Sequence, residues 1–149
     1  MRIMDRSKTI LNMEWNGNKS GNGTIEAEYL KTEIAVPQSF GGTGEGSEPK
    51  ELLVASAATC FLMTLVGMLE ARSLIVESLK MRSEASVSKE EGFKITHYPA
   101  IKLPVGATEE QIQSVDRTLA AADRNCDIGN LLKKAGVQID ISGDVSIKL

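Results

Sequence analysis

A chain of 149 residues with 17 basic and 20 acidic side chains, a formal net charge of -3 and 42% hydrophobic residues suits one domain around one core, spanning residues 1–149. Its composition is that of a soluble globular protein, and its scattered basic residues, such as Lys80 and Arg82 or Lys133 and Lys134, give nucleic-acid binding no support. The amino terminus, MRIMDRSKTI, puts charges where a signal peptide needs an apolar run, so a cytoplasmic protein is expected.

Strands are predicted first, over Thr9–Trp15 and Thr24–Leu30, parted by a Gly- and Asn-rich run from Asn16 to Gly23 that supplies positive φ angles for a turn. A third, Thr32–Pro37, leads into a glycine-rich loop, Ser39–Pro49. No Gly-Lys-Ser/Thr follows this loop, so it is no phosphate cradle. It reads instead as a helix entry, with Ser47 or Glu48 as cap, Pro49 at the first helical position and Glu51 complementing the dipole.

The helix that follows is predicted to run to about Arg72. Its stretch Leu52–Leu69 is uncharged over 18 residues, close to the length that spans a bilayer. Ser56, Thr59, Cys60, Thr64 and Gly67 dilute it, which favours a core helix apolar on nearly all sides and enclosed by other structure, with no membrane partner.

A hairpin comes next, Val76–Ser88 and Phe93–Leu103 joined at Lys89-Glu90-Glu91-Gly92. Beyond Pro104, the spacing of Thr108 and Gln111 predicts a capping box. It opens an amphipathic helix to about Asn125 with Ile112, Val115, Leu119 and Ala122 inward. Cys126 opens a short helix to Lys134, Ala135-Gly136 stops it, and Val137–Leu149 alternates as final strands broken at Gly143. The fold class is α+β, without repeats.

Chemistry centres on the two cysteines, Cys60 and Cys126, 66 positions apart. With one histidine in the chain, His97 in a predicted strand, the usual four-ligand zinc patterns are absent. Two cysteines without a secretion signal do not make a disulfide scaffold, so each is either a packing residue or a reactive thiol. Cys60 in mid-helix reads by itself as packing, and needs a nearby cation to become reactive. Cys126 lies at a helix start, where free amides and the dipole favour a thiolate. Arg124 adds to that field, and Asp127 opposes it.

The run Gly44-Glu45-Gly46-Ser47-Glu48-Pro49-Lys50-Glu51-Leu52-Leu53, followed by small residues and Cys60-Phe61, resembles the helix signature of the OsmC/Ohr family. The likeness extends from Trp15-Asn16-Gly17 through Asp123-Arg124-Asn125-Cys126 to the closing strands. It implies an intertwined homodimer in which a six-stranded sheet from each subunit packs around long central helices.

It also implies an enzyme that reduces organic hydroperoxides, Cys60 being peroxidatic and Cys126 resolving. No cofactor is implied; an external dithiol, such as a dihydrolipoyl group, closes the cycle. Such a cycle returns a sulfenic acid to a disulfide before irreversible overoxidation. Phe61, Met63 and Met68 are candidates for an apolar substrate channel or for plain core.

This chain departs from the family pattern at the group that activates the peroxidatic thiol, usually an arginine held by a glutamate. In one branch the arginine lies in the first turn, where this chain has Lys19; in the other it precedes the glycine-rich loop, where this chain has Ser39-Phe40. Lysine keeps the charge and loses the fork. The glutamate's place after proline is taken by Lys50, with Glu51 next. On a straight helix Glu51 lies about 180° from Cys60. Candidate site residues are therefore Cys60, Cys126, Glu51, Lys19 and Lys50. The alternative expectation is an OsmC-like redox sensor or apolar-ligand binding protein without efficient peroxidase chemistry.

Overall fold

The computed structural model describes residues 8–149; the signal-peptide argument rests largely on residues outside that range. The chain packs as two compact units, one ending at Leu52 and the other comprising Leu53–Leu149.

In the first unit, β1 (Asn12–Asn16), β2 (Asn22–Glu26) and β3 (Lys31–Ile34) form an antiparallel meander. The predicted turn is built on Gly17, at φ 90°, and is tied by Trp15 Nε1 donating to the Asn18 carbonyl at 2.9 Å. Trp15 pairs with Gly23. A Cβ there would stand 2.6 Å from the indole, so only glycine fits. β2 stops at Glu26, short of the predicted Leu30, because the Ala27 amide donates to the Leu30 carbonyl at 2.7 Å and turns the chain back into β3. The glycine-rich loop contains one 3-10 turn, Gln38–Phe40. Of the two predicted caps, Glu48 receives the helix amides, those of Lys50 at 3.1 Å and Glu51 at 3.0 Å.

Those residues open α1 (Pro49–Ala71), which ends at Ser73 in the left-handed region, φ 56°, with the Leu74 amide donating back to Leu69. In the second unit, β4 (Ser78–Ser88) and β5 (Gly92–Leu103) form the predicted hairpin. α2 (Glu109–Arg124) starts with the capping box complete: Gln111 N–H donates to Thr108 Oγ1 at 3.2 Å, and Thr108 N–H to Gln111 Oε1 at 2.8 Å. Then come α3 (Asp127–Lys134), β6 (Gln138–Ile141) and β7 (Asp144–Ile147). β6 and β7 both pair parallel with β5, β6 along Lys94–His97 and β7 along Ala100–Leu103. At the break between them a Cβ on Gly143 would stand 2.5 Å from Leu119 Cδ1, so α2 packs directly onto the gap.

The alternate residues Ile95, His97, Pro99, Ile101 and Leu103 of β5 point inward and are buried, as period-two geometry requires. Against them lie Phe61, Leu65 and Leu69 of α1, and Val115, Leu119 and Ala122 of α2. Each large apolar side chain buried this way contributes about 1.5–3 kcal/mol. A smaller cluster joins Ala57, Ile95 and Ile139.

Two expectations need correction. Among the described residues the strands form a three-stranded and a four-stranded sheet, where the resemblance implied six strands in one. α1 is not enclosed by its own chain. Its buried stripe is Ala57, Phe61, Leu65 and Leu69, while Met63 is 69% and Val66 49% exposed, because one sheet and one helix cover a single face. Among the described residues α1 is the one helix long and apolar enough to cross a membrane, and that buried stripe lies in the core.

Candidate active site

The second unit brings Cys60 and Cys126 together. Cys60 sits one residue before the buried Phe61 and is half-buried, packed against the cluster that contains Cys126. Its carbonyl accepts from Thr64 Oγ1 at 2.8 Å. Cys126 is 2% exposed. The two cysteines lie in one packed cluster, and both are free.

Cys126 is the N-cap of α3, its Sγ accepting from the Gly129 amide at 3.4 Å. A Cβ on Gly129 would stand 3.2 Å from that sulfur, so glycine leaves it room. The helix start therefore does what the sequence suggested, but burial outweighs it. Burial and then the neighbouring Cys60 push the Cys126 thiol up to about 11, with the Gly129 amide pulling the other way. The carboxylate that adds to the rise is Asp123, from the last turn of α2, not Asp127 as the sequence suggested.

The turn carrying Cys126 is pinned on several sides. Cys126 N–H donates to the Asp123 carbonyl at 3.4 Å, Asn130 Nδ2 to the Arg124 carbonyl at 2.9 Å, and Lys133 Nζ to Asp123 Oδ1 at 2.9 Å. Beneath Cys60, the Phe61 ring stacks on His97, centroids 5.3 Å apart and planes 13° from parallel. His97 Nδ1 is 2.7 Å from the hydroxyl of Ser83, its cross-strand neighbour. Burial lowers the imidazole pKa and Asp123 opposes that shift. His97 is thus a partnered core residue. The channel proposed for Phe61, Met63 and Met68 does not form within the unit: Phe61 is buried, Met63 faces out and Met68 packs against the core. Residues two apart on a helix point to different faces.

Lys19, Lys50 and Glu51 belong to the first unit and are all exposed. There the first turn and the glycine-rich loop meet. A Cβ on Gly41, at φ 91°, would stand 3.4 Å from Lys19 Cε and 3.5 Å from its Nζ. The first turn and the glycine-rich loop, separate in sequence, are therefore neighbours here, with Lys19 lying across Gly41. Nothing in the spacing signals this contact, nor the Asp123–Lys133 pair; the glycine at 41 is the only local hint.

The profile of the OsmC-like protein family matches residues 42–142. An uncharacterized protein of Bacillus subtilis, YmaD, is 33% identical over 93% of each chain. Peroxiredoxin OsmC of Escherichia coli is 30% identical over 80% of this chain and 85% of its own. Among solved structures, an OsmC-like protein from Mycoplasma pneumoniae superposes with a TM-score of 0.71 at 17% identity, covering 95% of this chain and 99% of that one. By sequence and fold together, the chain belongs to the OsmC-like protein family.

Proposed function

We propose that this protein is a two-cysteine, thiol-dependent peroxidase that reduces organic hydroperoxides. The observation that carries this reading is that Cys60 and Cys126, 66 positions apart, pack in one cluster, the first partly buried and the second buried. The likeness to a relative named as a peroxiredoxin supports it.

In the proposed cycle the Cys60 thiolate attacks the distal peroxide oxygen; the O–O bond breaks, the alcohol leaves, and Cys60 becomes a sulfenic acid. The Cys126 thiolate then attacks the sulfenic sulfur, expelling hydroxide that leaves as water, and an S–S bond forms. An external dithiol, with dihydrolipoyl groups the proposed class, reduces that bond and is itself oxidised. Lys19, lying across Gly41, is the proposed activating cation; Lys50 and Glu51 are secondary candidates. The uncovered apolar face of α1, with Met63 and Val66, supports a homodimer in which a second copy covers it.

The test mixes the protein with cumene hydroperoxide and dihydrolipoamide, beside Cys60→Ser and Cys126→Ser. Peroxide loss is expected to vanish in Cys60→Ser; unchanged loss there would sink the proposal. A second reading, a redox sensor, draws on one observation: neither family arginine position holds arginine. It predicts stoichiometric disulfide formation without turnover.

A further inference from the structure

Two Asn-Gly pairs, Asn16-Gly17 and Asn22-Gly23, stand at the two ends of the first turn, with Asn18 between them. An asparagine before glycine is open to attack on its side-chain carbonyl by the next main-chain nitrogen, because glycine rotates freely and puts no Cβ in the way. In sequence the two pairs are alike, but the fold separates them. Asn16 and Gly17 are both exposed. Gly17 lies outside the strands at φ 90°, and a Cβ there would meet only the Gly21 Cα, at 3.5 Å. Among the described residues no hydrogen bond ties the Asn16 side chain or the Gly17 amide.

Asn22 is held differently. Gly23 is buried in the central strand of the meander, paired with Trp15 on one side and Ile34 on the other. A Cβ on it would stand 2.5 Å from the Glu14 carbonyl oxygen and 2.6 Å from the indole, so the main chain has no room to turn into the attacking geometry. Asn18 is protected by its own contacts, since its Oδ1 accepts from the Ser20 amide at 3.0 Å and the Ser20 hydroxyl at 2.8 Å, and the residue after it is Lys19.

We propose that Asn16 is a modification site, deamidating spontaneously in the folded protein. The Gly17 nitrogen gives up its proton and attacks Asn16 Cγ. The bond from Cγ to the side-chain nitrogen breaks, ammonia leaves with a proton returned by solvent, and a succinimide ring closes. Water opens the ring to aspartate or, with the main chain rerouted through the side chain, to isoaspartate; nothing is oxidised or reduced. Either product adds a negative charge to a chain of formal net charge -3, in a cavity that Asn16 lines together with Glu33 and Glu45. Isoaspartate also puts an extra main-chain carbon between Trp15 and Asn18, the two residues joined by the 2.9 Å hydrogen bond from the indole. Lys19 follows directly, so the turn that lays it across Gly41 is altered. The proposal stands whether or not the chain is a peroxidase.

The test ages the whole purified chain in mildly alkaline buffer over days, beside Asn16→Gln and beside the parent unfolded in urea. Peptide mass mapping follows the gain of one mass unit at each asparagine, and an isoaspartate methyltransferase assay counts the rearranged product. In the folded parent the gain is expected at Asn16, with Asn22 slower by about tenfold or more because it reacts only from locally opened states. In urea the two pairs are expected to react at similar rates. Trp15 is the chain's one tryptophan, so its emission is expected to change as isoaspartate accumulates and to stay constant in Asn16→Gln. Equal rates at Asn16 and Asn22 in the folded chain, or no gain at Asn16 while the unfolded chain reacts, would overturn the proposal. Unchanged emission in a chain carrying isoaspartate at this position would overturn the effect on the turn.

Discussion

In the proposed cycle, a Cys126 thiol held at about 11 makes disulfide formation steeply dependent on pH. At pH 7 such a thiol is about one part in 10⁴ thiolate, against about one in 10² for an ordinary cysteine at 9.0. Since intrinsic nucleophilicity rises with pKa, the net slowing relative to an unperturbed thiol is about tenfold and not a hundredfold. The packing of the two cysteines in one cluster offsets this, because well-oriented intramolecular groups reach effective molarities of about 10⁵–10⁸ M. The measurement is a single turnover: one equivalent of cumene hydroperoxide, acid quench, and intact mass to follow the loss of two protons that marks the disulfide, with a sulfenic-acid trap in a parallel run. The rate of disulfide formation is expected to rise about tenfold per pH unit from 6 to 9 without levelling. A plateau by pH 7.5 would show that the helix start governs Cys126 and that the weight given to burial is wrong.

The buried imidazole gives a second pH dependence. Because burial lowers the His97 pKa in the fold, the unfolded chain binds a proton first, so stability is full above about 6.5 and falls as pH drops below it; the urea midpoint is expected to be lower at pH 5 than at 7.5, and the part of that loss due to His97 to disappear in His97→Gln. An identical loss in the variant would clear His97 of the effect. Lys19→Met is expected to slow peroxide oxidation of Cys60 on the order of 10- to 100-fold while Lys19→Arg speeds it, the fork being restored; equal rates in all three proteins would remove Lys19 from the site. Met63→Glu with Val66→Glu, both on the exposed face of α1, is expected to shift sedimentation from dimer to monomer, and a parent already sedimenting as a monomer would remove the proposed homodimer.

Local chemistry made much of this architecture legible. Thr108 and Gln111 announce α2, Pro49 and its acidic neighbours announce α1, and Lys89-Glu90-Glu91-Gly92 marks the hairpin, because caps and turns are built from residues adjacent in sequence. What stayed hidden depends on separation. Parallel pairing of β6 and β7 with β5 leaves no turn signature, since the strands are joined through helices and loops. The all-round apolarity of α1 suggested enclosure, yet one chain covers one stripe. At the site, Cys126 at a helix start was readable, but the burial that dominates its acidity is set by Cys60 and the core behind it. Lys19 and the glycine-rich loop, far apart in sequence, come together at Gly41, a contact the spacing does not signal.

The sulfur proposed to resolve the sulfenic acid is also the atom that closes the first turn of α3. Bonding it to Cys60 turns a hydrogen-bonded thiol into half of a fixed bridge whose direction the partner cysteine dictates, so the Gly129 amide must find a new geometry or give up its acceptor. Each redox cycle would therefore fray and reform one turn of helix, and hydrogen exchange at a single amide, that of Gly129, would record whether the chain is charged with oxidant or spent.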